Sequence, residues 1–142
     1  MKGAFFASVL LLIAAQPARA DWQFTKWGMS ESQVIKASKH LAERAQDGTL
    51  SMRYTTGKFA FNVEFVFADS KLNAVSLELH TGSNYSLLNA LKEKYGQPDE
   101  QDGITTVWRT SRDEIDFSAV TGDGSDASVL YRPRVNPNTR GL

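Results

Sequence analysis

Between Phe59 and Phe67 every second residue is large and apolar: Phe59, Phe61, Val63, Phe65 and Phe67, with Asn62 and Glu64 among the residues between them. A period of two fits an extended strand with one buried face, because successive strand side chains point to opposite sides. Leu50, Met52 and Tyr54 alternate in the same way before it, and Val75, Leu77 and Leu79 after the turn-prone Asp69-Ser70-Lys71. Three such strands joined by short links form an antiparallel sheet whose apolar face must be covered.

The cover is supplied by two helices. The spacing predicts one from Glu31 to Ala45, with Ser30 as N-cap, Gln33 completing a capping box, and Val34, Ala37, Ser38, Leu41 and Ala45 on one side. Gly48 is placed to end it. The second runs from Ser83 or Asn84 to about Tyr95, with Leu87, Leu88, Leu91 and Tyr95 on one side, Gly96 at its end and Pro98 beyond. Three more strands are expected, Ile104 to Thr110, Glu114 to Val120 and Ala127 to Arg132. The expected class is α+β, a two-layer antiparallel sheet with both helices on one face, in the order α-βββ-α-βββ.

Residues 1–20 read as a targeting segment. Lys2 precedes the apolar run Ala4 to Ala15, and Ala18-Arg19-Ala20 presents small residues to a signal peptidase. The run is shorter than the roughly 20 residues that span a bilayer, so cleavage is predicted before Asp21. That leaves one domain over 21–132 and a flexible basic tail over 133–142 with two prolines and no apolar period. No later segment is apolar enough to be an integral membrane helix.

Composition narrows the chemistry. The full chain has 16 acids and 16 bases; removing Lys2 and Arg19 with the leader gives 14 − 16 = −2. Residues 99–126 hold eight of those acids and only two bases, and residues 127–142 hold three arginines and no acid. This is not the basic footprint of a nucleic-acid binder. The chain contains no cysteine. Disulfides, cysteine-held zinc or iron–sulfur clusters, a thiol nucleophile and a lipidated N-terminal cysteine are thereby excluded.

Two short stretches carry a resemblance. Trp27-Gly28-Met29-Ser30-Glu31-Ser32-Gln33-Val34 opens a helix and Lys94-Tyr95-Gly96-Gln97-Pro98 closes one, with Trp108 on a strand thereafter. Both are similar to small exported α/β modules of Gram-negative bacteria, namely the outer-membrane assembly lipoproteins of the SmpA/OmlA type and the β-lactamase-inhibitor-protein fold. The resemblance implies that two-layer plan and, by analogy, a binding role rather than catalysis. The lipoproteins' anchoring cysteine and the inhibitors' cysteines are absent here.

No H-E-x-x-H, G-x-S-x-G, S-x-x-K or phosphate-loop motif occurs. Gly122-Asp123-Gly124-Ser125-Asp126 fits neither a nucleophile elbow nor a calcium loop and reads as a turn. His40 and Glu43 sit three apart on the polar side of the first helix without further ligands, and His80 ends a strand; no metal or cofactor is expected. The expected function is that of a soluble, non-enzymatic periplasmic binding protein whose envelope partner, an assembly factor or an enzyme that it inhibits in the manner of an inhibitor or immunity protein, is met on one sheet face or at the hairpin tips. Asp99, Glu100, Asp102, Asp113, Arg132 and Arg134 are the candidate contact residues. The alternatives are an enzyme assembled from His40, His80 and the acids of 99–116, or a lipid or small-ligand carrier. A carrier calls for a cavity of roughly 300–1,000 Å³ lined by the phenylalanine strand.

Overall fold

A computed structural model describes residues 22–121 and 123–135. The predicted leader and its cleavage point lie outside the described residues, as does the tail from 136 onward. The described residues form an α+β fold, with two helices and an antiparallel sheet of eight strands. The elements are α1 (Glu31–Ala37), β1 (Glu43–Arg44), β2 (Leu50–Thr56), β3 (Phe59–Ala68), β4 (Lys71–Thr81), α2 (Asn84–Tyr95), β5 (Glu100–Gln101), β6 (Thr105–Arg109), β7 (Asp113–Ser118) and β8 (Ser128–Pro133). The expected order of three strands after each helix therefore becomes four, because two-residue strands β1 and β5 flank the sheet. Such short pieces carry no readable periodicity and exist only through pairing, Glu43 opposite Ser51 and Glu100 opposite Val107.

The sheet order is β1-β2-β3-β4-β8-β7-β6-β5. Each half is a meander with the same order of elements, and the halves join where the last strands meet, Val75 opposite Tyr131 and Leu77 opposite Val129. The C-terminal strand thus occupies the middle of the sheet. Pro133, placed in the tail by its composition, ends β8, and Arg134 donates its backbone N–H to Arg112 O at 2.6 Å.

The core follows the alternation. Phe59, Phe61, Val63 and Phe65 are buried, and their register partners Tyr54, Met52 and Leu50 on one side and Leu79, Leu77 and Val75 on the other share the same cluster. Val34 of α1 and Leu87 and Leu91 of α2 belong to it too. Between β3 and β4 the residues Asp69 and Ser70 both have positive φ, the signature of a two-residue type I′ turn whose twist suits a hairpin. Among the described residues, Gly82, at φ +113, is the one position where a positive φ and a lack of space both demand glycine. A Cβ there would stand 2.6 Å from the Phe59 ring.

The largest departure from expectation is α1. Its start is as read, since the Ser30 hydroxyl accepts from Gln33 N and the Gln33 side chain accepts from Ser30 N. It then ends at Ala37, not Ala45. Lys39 N–H donates to Lys36 O and His40 N–H to Ile35 O, a Schellman closure with Lys39 at φ +55. Buried Ser38 completes it, donating its hydroxyl to Ile35 O and accepting from Ala42 N. Leu41, expected in the core, is 65% exposed, while Ala42 is buried in its place. Gly48, expected to stop the helix, turns the β1–β2 hairpin at φ +87. The helical period was real but short, because serine side chains compete with the helix for its own backbone groups.

Candidate functional site

The charged candidates divide into two groups. Four of them hold the fold. Asp99 accepts from Arg109 N at 2.6 Å, and Asp102 accepts from Thr105 N at 3.1 Å in the β5–β6 turn. Asp113 accepts from the Trp27 indole at 2.8 Å, pinning the N-terminal segment to β7. Arg134 donates from its guanidinium to Thr110 O at 2.9 Å. A carboxylate that satisfies a backbone N–H or an indole is committed to that job.

Glu100 and Arg132 instead belong to an ion-pair ladder across β5 to β8. Arg109 reaches Glu100 at 2.7 Å and Glu114 at 2.8 Å; Arg132 reaches Glu114 at 2.5 Å and Asp116 at 2.8 Å. The sheet register creates it, since Glu114 stands opposite Arg109 on one side and Arg132 on the other. Sequence reading missed Arg109 and placed Glu114 and Asp116 on an expected strand, naming them only among the acids of 99–116. Their signal was the i, i+2 spacing on one strand face.

The two acids respond differently to this setting. Burial pushes Glu114 up, but the hydrogen bonds from Arg109 and Arg132 outweigh it and hold the carboxyl below the ordinary glutamate value. Burial dominates at Asp116 and raises it, Arg132 offsetting only part. Glu114 therefore adds stability that is present above the unfolded glutamate value of about 4.3 and is lost as pH falls through its folded value. Asp116 has the opposite sign: its contribution is present below the unfolded aspartate value and lost as pH rises through its raised one. Glu114→Gln is expected to cost about 1–2 kcal/mol at pH 7. The gap between variant and parent, read by urea denaturation, should close as pH falls below about 4.

A different surface forms at the hairpin tips. Tyr85, Ile104 and Val120 are 65%, 60% and 78% exposed, and all three border one depression of about 130 Å³ beside Leu88 and Asp102. Ile104 was expected to begin a strand and Val120 to end one. β6 begins at Thr105 and β7 stops at Ser118, so both side chains fall on the turns and outside the core. Buried Asn84 organises this end. Its Nδ2 donates to Thr121 O and Asp126 Oδ1, both at 2.5 Å, and its Oδ1 accepts from Ala127 N at 2.8 Å. Its backbone N–H meets Gly124 O at 2.8 Å. The loop read as a plain turn is thus moored to the start of α2.

His40 and His80 are both exposed, and neither side chain hydrogen-bonds among the described residues. His40 lies in the α1 closure at φ +64; His80 falls at a register shift near the end of β4. Among the described residues no group of three or more His, Cys, Asp or Glu is placed to hold a metal ion.

A family model described as the TP0088 domain matches residues 20–121. The chain belongs to the TP0088 domain family. No curated protein and no solved structure matches it. Within this TP0088 domain the matched region contains both helices, the ladder residues Glu100, Arg109, Glu114 and Asp116, and the exposed trio at the hairpin tips. Arg132, on the central strand β8, lies beyond it. No helix among the described residues is long and apolar enough to cross a membrane.

Proposed function

We propose that this TP0088 domain is an exported, non-enzymatic periplasmic protein that holds an envelope protein partner at its hairpin tips. The observation that carries the reading is the exposed trio Tyr85, Ile104 and Val120 around one depression. Large apolar side chains grouped on a surface and rimmed by polar groups favour a partner, and an aromatic flanked by aliphatics has the makeup of an interface centre. Asp102 supplies a polar rim, and the moored loop behind the trio reduces the ordering cost of binding. In the same reading both helices cover one face of the sheet, in the two-layer plan of the small assembly lipoproteins and the β-lactamase-inhibitor fold. Its support is the single core that Val34, Leu87 and Leu91 share with the inward strand residues.

The test pairs affinity capture from envelope extracts with the double variant Ile104→Asp/Val120→Asp. Exposed substitutions of this kind should shift stability by no more than about 0.5 kcal/mol each. The parent should enrich a discrete partner, and the variant should bind it at least about ten-fold more weakly. Equal recovery of the same partner by a folded variant would sink the assignment of this surface.

A further inference from the structure

On the core side of the sheet, away from the hairpin-tip trio, lies a cleft of about 390 Å³ between α2, the N-terminal segment and the β2–β3 hairpin. Its floor includes Leu77 and Val129, the register pair at the joint between the two halves of the sheet. Helix α2 forms one wall through Leu87, Ala90, Leu91 and Lys94, and no residue of α1 lines the cleft. At the Phe59–Phe61 end the cover is aromatic. Trp22 meets Tyr54 edge to face at 5.1 Å, and Tyr54 stacks on Phe61 at 6.4 Å. Val63 and Phe65 farther along the strand are packed into the core.

The charge of the cleft is one-sided. Lys58 and Lys94 line it, and no acid does among the described residues. Both are exposed, and neither has a carboxylate partner among the described residues. Lys58 Nζ lies 5.7 Å from the Phe59 ring centre and Lys94 Nζ 5.3 Å from that of Tyr95. The ammonium groups thus rest over aromatic faces, a weaker attraction than an anion would supply. Tyr131 lines the same cleft; burial pushes its phenol well above the ordinary value, so it stays a neutral hydroxyl. The volume falls within the range of small-ligand pockets, which are mostly apolar with a few placed polar groups.

We propose that this cleft binds a free long-chain fatty acid, its hydrocarbon chain against Trp22, Tyr54, Phe61 and the Leu77–Val129 floor and its carboxylate between Lys58 and Lys94. An apolar slot with a cationic rim selects an amphiphile with an anionic head. A neutral amphiphile leaves the lysines unpaired and a cationic one is repelled. Occupancy of the cleft is separate from partner binding at the hairpin tips, since the two share no lining residue.

The experiment is titration of the purified protein with a bromine-labelled long-chain fatty acid, read by quenching of tryptophan fluorescence. Trp22 forms one wall of the cleft, so quenching should be saturable, with one ligand per chain. Lys58→Gln/Lys94→Gln should weaken binding about ten-fold, as expected for two partly solvated ion pairs. The fatty alcohol and the alkylamine of the same length should bind more weakly than the acid and show no loss in that double variant. Ala90→Phe, which fills the cleft from α2, should abolish quenching while the thermal transition is retained. Absence of saturable quenching, equal affinity for acid and amine, or undiminished binding by the lysine double variant would each overturn the proposal. Tighter binding of a lysophospholipid would overturn the assignment of a free carboxylate.

Discussion

Asn84→Ala is expected to destabilise the domain by about 3 kcal/mol, lowering the thermal midpoint by roughly 10 °C. The size follows from what the side chain satisfies. Ala127 is fully buried, and its N–H has the Asn84 Oδ1 as acceptor; Thr121 O and Asp126 Oδ1 take the two Nδ2 protons. Truncation removes all three bonds at once and leaves a buried donor without a partner, which costs more than the bonds contributed. Asn84→Asp separates the effects. It keeps an acceptor for Ala127 N but sets a carboxylate against Asp126, so its deficit should be large at pH 7 and shrink as pH falls through the carboxylate range. A variant that melts with the parent would show that the loop is held by other contacts. Because the same loop carries Val120, the alanine variant should also lose affinity for a partner at the hairpin tips.

The second large effect is expected at Trp108, where alanine should cost about 4 kcal/mol. The ring is 2% exposed and packs near Tyr95 at the end of α2, with centroids 6.2 Å apart. Its indole donates to Gly96 O at 3.0 Å, satisfying a carbonyl at the helix C-cap. Truncation opens a cavity between helix and sheet and frees the end of α2 together. Trp108→Phe isolates the hydrogen bond, since it retains most of the packing, and should cost about 1–2 kcal/mol. Urea denaturation of the two variants distinguishes packing from capping. Equal losses would assign the whole effect to the indole N–H.

Asn84 and Trp108 also show how legible each kind of feature was. Trp108 stood on a predicted strand after a helix-stop signal, so a structural role at that junction was readable. Asn84 was readable only as a possible cap. Ser83 took that role, and a buried asparagine one residue later has no local signature, because its partners lie 37 to 43 residues away. The charged candidates behaved alike. Acidic turns were visible as composition, but which acid satisfies a backbone N–H and which faces an arginine depends on strand register.

Local chemistry alone determined the period-two strands around Phe59–Phe67, both helix starts, the end of α2 at Gly96 and the Asp69-Ser70 turn. Each is set by side chains within a few residues of the backbone they direct. Tertiary structure decided the rest. It carried β8 into the centre of the sheet and aligned Arg109, Glu114 and Arg132 into one ladder. It also left Ile104 and Val120 outside their strands and opened the aromatic cleft beside α2. These outcomes rest on contacts between residues far apart in the chain, whose energies depend on which surfaces meet, and no short window of sequence contains that information.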